Sequence, residues 1–459
     1  MKIVGIEPKN FKTHVFSAFK LPRLAMPLLG TILKNKGYKV KIFLEEWAPI
    51  NENAIKEADV VMISTITPTA NRAYKLADYY KKKYKKLIIM GGPHVSFLPE
   101  EALLHADFVI RGEGEKALLK LIENIERGSN DLSSIPNLSY KKDGKFYHNP
   151  LDENFVDLDS LPIPDFTLVE GYNPDSLKIY PISTSRGCPY NCTFCAVVSM
   201  FGRKYRFRSE DLVIEEIKNL KKVEHIFFYD DNFAADKERA KILLEKMIKI
   251  NFKGTWSTQV RIDIYKDEEL LKLMQKSNCS TLYIGFESIN PETLKLYKKG
   301  ITPAQIEEGI KILHKYNIRV HGMFVIGADT DTRESILATL DFSKKMKIDS
   351  VQFLILTPVP GSRIFQEFLN EGRIFTTTWE YYDGHHVVFY PQNMSPFELQ
   401  ELAFKLFKGF YSYKSAIKYL LKLDLMHATI HFLGAKLTKK ARKESKEFVE
   451  TYQKFKFLI

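Results

Sequence analysis

Short apolar segments alternate with longer amphipathic segments along the first part of the chain. The apolar segments are rich in β-branched residues and have the length of buried strands; they lie at 2–6, 40–44, 60–64, 87–90 and 108–110. The segments between them have the length and period of helices that cover a sheet. This alternation predicts an α/β domain with a doubly wound parallel sheet, whose ligand lies beyond the carboxyl ends of the strands.

Small and polar residues follow the third, fourth and fifth predicted strands. Glycines there let the backbone approach a bound group, and hydroxyl or imidazole groups can hydrogen-bond to it. Ordinary turns are the alternative explanation of the same residue types. No Gly-x-Gly-x-x-Gly sequence follows the first strand, which argues against a dinucleotide. The candidate ligand-contacting residues of this domain are Ser64, Thr65, Thr67, Gly91, Gly92, His94, Gly112 and Glu113.

A second series of strand and helix segments begins near residue 179. Its candidate strands lie at 179–184, 225–229, 255–259, 281–286, 320–326 and 351–356. Six repeats predict a partial (β/α)6 barrel, with its chemistry at the carboxyl ends of the strands. Apolar and aromatic residues at helical spacing dominate the rest of the chain, which we therefore expect to be helical.

Turn signals separate the two series. Asp143-Gly144 between two alternating segments predicts a hairpin, and Pro162 and Pro164 hold the following stretch extended. We therefore predict four regions: a doubly wound domain at 1–130, a hairpin and linker at 131–178, a barrel at 179–360 and a helical, basic C-terminal domain at 361–459.

The composition is that of a globular protein, with 45% hydrophobic and 27% charged residues among 459. Met1 is followed directly by a predicted strand rather than by the pattern of a secretion signal, so we expect a cytoplasmic location. The net charge is +12, and a net +8 falls at 401–459. That excess favours an anionic partner such as membrane headgroups, nucleic acid or a phosphorylated substrate, although a solvated basic helix face also explains it.

Three of the four cysteines, Cys188, Cys192 and Cys195, fall within eight residues after the first strand of the second series. Structural zinc sites usually pair two short spacings, and no second pair exists here. An iron-sulfur cluster held by three cysteines keeps one iron open for a substrate or cofactor. The remaining Cys279 stands alone, and we expect it to pack in the interior.

The spacing Cys188-x3-Cys192-x2-Cys195, with Phe194 before the last cysteine, resembles the radical S-adenosylmethionine (SAM) superfamily. The resemblance implies a [4Fe–4S] cluster whose open iron binds SAM and cleaves it reductively to the 5'-deoxyadenosyl radical. It further implies that Phe194 packs on the adenine and that polar residues at the strand ends hold SAM. The SAM-binding candidates implied are Phe194, Asp230, Asp231, Asn232, Arg261, Glu287, Ser288 and Gly327.

A doubly wound domain ahead of this barrel, with Gly91-Gly92-Pro93-His94 and 111–115, is similar to the cobalamin-binding subclass of these enzymes. The resemblance implies a cobalamin that lies flat at the strand ends. Residues 1–130 contain no Asp-x-His-x-x-Gly sequence, so we expect no protein histidine on cobalt. Alternatively, the domain has lost cobalamin and serves only as a scaffold.

Our preferred sequence-based reading of the reaction is functionalisation of an unactivated carbon by rearrangement, cyclisation or carbon-carbon bond formation, on a lipid. The aromatic, basic tail resembles enzymes that remodel hopanoid or tetraether lipids and also resembles porphyrin cyclases. The alternative is a cobalamin-dependent C-methyltransferase; a further alternative is an RNA-modifying enzyme, although the chain lacks the cysteines for a second cluster. We expect a flavodoxin- or ferredoxin-type electron donor, contact of the C-terminal region with a membrane surface, and no nucleic-acid partner.

Overall fold

The computed structural model describes residues 1–10, 21–173, 178–220 and 223–453, and the chain divides into two compact units. The described part of the first unit comprises 1–10, 21–173, 178–187, 196–220 and residue 223. The second comprises 188–195 and 224–453. Parts of the predicted N-terminal domain, linker and C-terminal domain, at 11–20, 174–177 and 454–459, lie outside the described residues.

The strands of the first unit are β1 Lys2–Glu7, β2 Lys39–Leu44, β3 Val60–Ser64, β4 Leu87–Gly91, β5 Phe108–Ile110, β6 Leu138–Lys142, β7 Lys145–His148, β8 Ile179–Ile182, β9 Ser185–Arg186 and β10 Arg206–Phe207. Its helices are α1 Ala25–Asn35, α2 Glu52–Glu57, α3 Ala70–Tyr84, α4 Pro93–Phe97, α5 Pro99–Ala102, α6 Glu115–Glu126, α7 Val197–Phe201 and α8 Glu210–Asn219.

The strands of the second unit are β11 His225–Phe228, β12 Thr255–Val260, β13 Cys279–Glu287, β14 Arg319–Ile326 and β15 Ser350–Ile355. Its helices are α9 Lys237–Lys249, α10 Glu268–Lys276, α11 Pro291–Leu296, α12 Pro303–Lys315, α13 Arg333–Lys345, α14 Arg363–Asn370, α15 Pro396–Phe410, α16 Tyr413–Leu420, α17 Leu425–Glu444 and α18 Lys446–Gln453.

The first unit contains a sheet of order β2-β1-β3-β4-β5-β6-β7. The strands β1 to β5 are parallel, as the five apolar segments predict, and β6 and β7 add an antiparallel hairpin at one edge. Asp143 and Gly144 both have positive φ at its turn (51° and 77°), as a two-residue hairpin turn requires. The predicted doubly wound domain is therefore confirmed, and the carboxyl ends of β1, β3, β4 and β5 share one sheet edge.

The second unit contains β11 to β15 as a parallel sheet in sequence order. Its strands alternate with α9, α10, α12 and α13, which confirms the predicted βα rhythm. Each of these helices begins at a capping side chain: Asp236, Asp267, Thr302 and Thr332. Aromatic side chains fill the core on this sheet; the fully buried ones are Phe228, Trp256, Phe286, Phe324 and Phe353. The segment predicted as the first strand of the series forms β8 and belongs to the first unit.

The C-terminal region is helical, as predicted, and packs on the barrel sheet. The Tyr411 hydroxyl donates to the carbonyl of Val351 (2.7 Å) and accepts from its N–H (2.8 Å), which fixes the end of α15 on β15. The α16–α17 pair follows. Among the residues that the structure describes, no helix combines the length and the apolar character needed to cross a bilayer.

Candidate active site

The three clustered cysteines lie on one loop, 188–195, of the second unit. All three are thiols outside any disulfide, and all three are half-buried. The Cys195 N–H donates to the Cys192 carbonyl (3.3 Å), and the Ile364 N–H donates to the Thr193 carbonyl (3.2 Å). These two bonds shape the loop and tie it to the start of α14. The sequence prediction that the cysteines share one loop at the barrel is therefore realised in the structure.

The metal-binding groups of this loop are three cysteine thiols that do not converge on a single point. Burial, followed by the nearby charges of Asp231 and Cys192, raises the pKa of the Cys188 thiol, so an iron must displace its proton. In the described ranges, no three His, Cys, Asp or Glu side chains converge as one ion needs. A cubane does not require such convergence, because each cysteine binds a different iron.

Polar side chains follow β11 at its carboxyl end. Asp230 is fully buried, and its carbonyl accepts from the Gln259 side chain (3.4 Å). Desolvation by the surrounding chain, followed by the negative charge of Asp230, raises the pKa of Asp231 to about 6. Asn232 is buried, and its Oδ1 has no hydrogen-bond partner among the described residues. A buried acceptor of this kind is satisfied when a ligand donates to it.

Arg261 follows β12 and lies against the cysteine loop. Its guanidinium stacks on the Tyr190 ring at 3.9 Å from the centroid, donates to the Lys299 carbonyl, and lies 3.7 Å from an Asp263 carboxylate oxygen. The charges of Cys188 and Arg261 also interact, since Arg261 lowers the pKa of that thiol. A cation held in this way beside the thiols stabilises negative charge on a bound cluster or ligand.

Glu287 ends β13 in an unusual conformation. Its φ is +63°, and its carboxylate forms a buried ion pair with Lys299 (3.1 Å). A Cβ at Gly285 would overlap the Glu287 carboxylate, so a larger residue there would push that carboxylate away from Lys299. Positive φ at a non-glycine residue is strained and is commonly kept at binding sites.

The remaining SAM-binding candidates are held by local contacts. The Ser288 hydroxyl accepts from the Asn290 N–H (3.0 Å) as α11 begins. The Gly327 N–H donates to Asp331 (2.9 Å). Phe194 packs edge-on against the Tyr297 ring, with centroids 4.9 Å apart. The structure thus places Phe194 beside a barrel-mouth tyrosine, while its predicted contact with adenine stays a prediction.

In the first unit, the loop after β3 packs tightly against the loop after β4. Ser64 is half-buried, and Thr65 and Thr67 are buried. The Thr65 hydroxyl shares a hydrogen bond with Thr69 (2.8 Å), so the turn already engages it. A Cβ at Gly92, where φ is +103°, would lie 2.5 Å from the Thr65 carbonyl oxygen, so glycine is required there.

The four other cobalamin candidates differ in how much space lies beside them. A Cβ added at Gly91 would make only an ordinary contact, 3.7 Å from the Ile110 carbonyl oxygen, and a Cβ added at Gly112 would meet nothing within 4 Å. His94 is fully buried in α4 with its Nε2 3.4 Å from Glu101. Glu113 points to Arg206 (2.5 Å) and Arg186 (3.3 Å) instead of to an open edge. The two glycines fit a flat ring against the backbone, whereas His94 and Glu113 are occupied within the protein.

Two family descriptions match separate parts of the chain. Residues 182–343 match the radical SAM superfamily, and residues 17–122 match the B12-binding domain. The first match contains the cysteine loop and the strands β11 to β14, and the second contains β2 to β5. Both agree with the folds described above.

Several curated proteins are similar over most of their length. A Pyrococcus horikoshii protein described as an uncharacterized methyltransferase is 33% identical over 367 residues, which cover 77% of this chain and 79% of that protein. The bacteriochlorophyllide d C-12(1)-methyltransferase of Chlorobaculum tepidum is 31% identical (86% of this chain and 84% of that protein). The anaerobic magnesium-protoporphyrin IX monomethyl ester cyclase of Rubrivivax gelatinosus is 26% identical (91% and 79%).

A solved structure has the same fold. The radical SAM methyltransferase TsrM from Kitasatospora setae, with cobalamin and a [4Fe–4S] cluster bound, matches with a TM-score of 0.71 at 15% identity, covering 97% of this chain and 99% of that one. The two family matches and the relatives above establish that the chain belongs to the cobalamin-binding branch of the radical SAM superfamily. It is an enzyme, and its cofactors are a [4Fe–4S] cluster, SAM and cobalamin.

The residues present fit these three groups. Three thiols on one loop suit a cluster with one open iron. The unpartnered Oδ1 of Asn232 suits an amino or hydroxyl donor of SAM. The absence of side chains at Gly91 and Gly112, with nothing within 4 Å of a Cβ at Gly112, suits the close approach of a corrin ring.

The sequence reasoning did not single out Lys299 or Tyr297. Lys299 is buried beside Glu287, and Tyr297 is fully buried with no hydrogen-bond partner for its hydroxyl in the described part of the chain. Burial, followed by the charges of Asp331, Glu287 and Asp329, raises the Tyr297 pKa far above its usual value. Both residues lie in the segment Tyr297-Lys298-Lys299 after α11. Such a polar segment is typical of a solvated surface, so the sequence gives no sign that these residues are buried.

Proposed function

We propose that the enzyme is a C-methyltransferase that transfers a methyl group from SAM to an unactivated carbon. The observation that carries this proposal is that two relatives above 30% identity are both described as methyltransferases. This favours the alternative reading of the sequence over our preferred one, rearrangement or coupling on a lipid. When bound, the cluster supplies an electron to SAM and cobalamin carries the methyl group.

In this proposal the residues of the chain bind and orient these groups. Cys188, Cys192 and Cys195 hold the cluster and leave one iron open. Asn232, with its unpartnered Oδ1, accepts from SAM, and the Arg261 guanidinium beside the cysteine loop stabilises its carboxylate. The other assigned SAM-binding residues are Phe194, Asp230, Asp231, Glu287, Ser288 and Gly327.

We also propose that cobalamin lies on the open strand edge at Gly91 and Gly112 of the first unit. Thr65, in the turn after β3, and Gly92, after β4, shape that edge because their backbones lie against each other; Ser64 ends β3, and Thr67 lies in the same turn as Thr65. His94 and Glu113 act on the shape of the edge rather than on the ligand, since other protein groups engage them. The four regions predicted from the sequence stand as the domain organisation of the proposal.

The substrate we propose is a large, planar or extended hydrophobic molecule. The tetrapyrrole relatives support a ring system, and the basic, aromatic C-terminal region supports a lipid or a membrane-bound substrate. We further propose a flavodoxin- or ferredoxin-type electron donor and peripheral contact of 361–459 with a membrane.

A second candidate function is cyclisation without methyl transfer. The similarity to the Rubrivivax gelatinosus cyclase over 91% of this chain supports it. The two candidates differ in what becomes of SAM. Methylation uses one SAM as the methyl source and a second as the radical source, so it releases S-adenosylhomocysteine and 5'-deoxyadenosine together. Cyclisation releases 5'-deoxyadenosine alone.

The test is anaerobic turnover of the reconstituted holoenzyme with methyl-deuterated SAM, a reductant and either magnesium tetrapyrroles or archaeal and bacterial lipid extracts. We expect equal amounts of S-adenosylhomocysteine and 5'-deoxyadenosine, together with a product that carries the deuterated methyl group. A cyclised product with 5'-deoxyadenosine alone would contradict the methyltransferase proposal and support the second candidate. The Cys195→Ala variant controls for cleavage of SAM that does not depend on the cluster.

A further inference from the structure

The tip of the α16–α17 pair exposes large apolar side chains to solvent. Leu421 and Leu423, in the turn between the helices, are 81% and 87% exposed. The other strongly exposed apolar residues of this pair are Tyr413, Ile417, Leu420, Leu425 and Phe432. Single exposed apolar residues are common, but seven within twenty residues form a patch that needs an explanation.

These side chains share one face. Tyr413, Ile417 and Leu420 are spaced by four and three residues along α16, and Leu425 and Phe432 are seven apart on α17, so each set lines one side of its helix. The rings of Tyr413 and Phe432 are 5.5 Å apart, which joins the two sides into one surface. We call the seven residues, with the turn at their end, the apolar tip.

The opposite side of the helix pair is docked on its own unit. Ala416, Ala428 and His431 are buried there. His427 Nε2 lies 3.0 Å from an Asp349 oxygen, and the other oxygen of Asp349 lies 3.0 Å from His314. The pair therefore already buries a packed side, and the apolar tip is an additional face that none of the described residues covers.

The charges beside the apolar tip are positive. Lys414, Lys418 and Lys422 are exposed and have no carboxylate within ion-pairing distance in the described part of the chain. Asp424, the acidic residue of the turn, is held by His427 (2.7 Å). Further along α17, Lys436, Lys439 and Lys443 continue the basic surface. This surface complements an anionic bilayer, because the acyl region accepts exposed leucines and the anionic headgroups attract the lysines that flank them.

We propose that the apolar tip inserts into the surface of an anionic membrane, with Leu421 and Leu423 below the headgroups and Lys414, Lys418 and Lys422 among them. This inference rests on the proposed peripheral membrane contact of the C-terminal region and narrows it to these residues. It is independent of which carbon the enzyme modifies.

The experiment is flotation of the holoenzyme with vesicles of equal phosphatidylglycerol and phosphatidylcholine, compared with pure phosphatidylcholine. The wild type floats with the anionic vesicles at low salt and less at high salt. The variant L421D/L423D loses at least about tenfold in partition coefficient, since two leucines no longer enter the bilayer. The partition coefficient of the variant K414Q/K418Q/K422Q falls about fivefold for each lysine that is replaced near the membrane surface.

Matched controls separate the tip from general charge and surface effects. L104D/L369D adds the same two negative charges at exposed leucines elsewhere, and K249Q/K276Q/K315Q removes three exposed lysines elsewhere. Both controls bind as the wild type does. A second measurement uses L423W, whose tryptophan emission shifts to the blue with anionic vesicles if residue 423 enters the bilayer.

The outcomes that overturn the proposal are distinct. If the wild type does not float with anionic vesicles, the membrane contact itself is wrong. If K436Q/K439Q/K443Q loses binding while L421D/L423D and the L423W emission do not change, membrane contact stands and insertion of the tip is wrong. If sedimentation shows a dimer that L421D/L423D dissociates, and vesicles do not compete with it, the tip binds a second copy instead.

Discussion

Replacing Glu113 with glutamine removes a buried carboxylate that two arginines share. Glu113 accepts from Arg206 at 2.5 Å and lies 3.3 Å from Arg186, which also contacts Glu115 at 2.6 Å. The side chains of Glu113, Arg206 and Arg186 are only 8%, 10% and 18% exposed. The change therefore leaves a buried guanidinium without its counter-charge.

We expect E113Q to lower the free energy of unfolding by about 3 kcal/mol. This is the lower end of the range for breaking a buried ion pair, because Arg186 keeps its ion pair with Glu115. Burial opposes ionisation, but the hydrogen bond from Arg206 and the charges of Arg186 and Arg206 together lower the pKa of Glu113. A lowered pKa in the folded state contributes stability above the unfolded value, and that stability is lost as the pH falls through the folded pKa. The free energy of unfolding of E113Q therefore falls less steeply with decreasing pH than that of the wild type.

The assay is urea unfolding between about pH 4 and about pH 8. The control is Glu57→Gln, because Glu57 pairs with Lys2 at the exposed surface. The control changes the free energy of unfolding by less than about 0.5 kcal/mol. Cobalamin affinity is measured on the same samples. If E113Q unfolds like the wild type but loses cobalamin affinity, Glu113 is a cobalamin ligand and the reasoning above is refuted.

Three further predictions concern other parts of the molecule. Gly92→Ala lowers stability by about 3 kcal/mol, measured by thermal melting, because φ is +103° and its Cβ meets the Thr65 carbonyl; Gly37→Ala, with φ +90° and open space, costs only about 1 kcal/mol. Asp349→Asn speeds amide exchange in α17, and it lowers the pKa of His427, which Asp424 alone then raises; the stabilisation from this raised pKa, which the wild type loses as the pH rises through it, is correspondingly smaller in the variant. The cob(II)alamin EPR spectrum shows no nitrogen superhyperfine splitting from a protein imidazole, and His94→Ala leaves it unchanged; such a splitting in the wild type would contradict the assignment.

The strands were predictable because their patterns are local. Buried parallel strands are continuous apolar runs, so β1 to β5 and β11 to β15 were located within a residue or two. The hairpin at Asp143-Gly144 was predictable because that turn requires two positive φ angles. The helical nature of the C-terminal region followed from its periodicity.

The partners of individual polar residues were not predictable. Nothing in the sequence near Glu113 shows that Arg206, 93 residues away, takes its carboxylate. Likewise, nothing in the sequence near Lys299 shows that this lysine pairs in the interior with Glu287 at the end of β13. Contacts between distant segments depend on the tertiary fold, whereas the cysteine motif was readable because its ligands lie on a single loop.

The central claim is that Cys188, Cys192 and Cys195 hold a [4Fe–4S] cluster with an iron open to SAM. The direct measurement is EPR of the anaerobically reconstituted, reduced protein with and without SAM, together with iron and zinc analysis. The account predicts about four irons per chain, a reduced-cluster signal that SAM alters, loss of both in each of the three Cys→Ala variants, and retention of both in Cys279→Ala. One zinc per chain, no visible absorbance and no effect of SAM on the spectrum would contradict it.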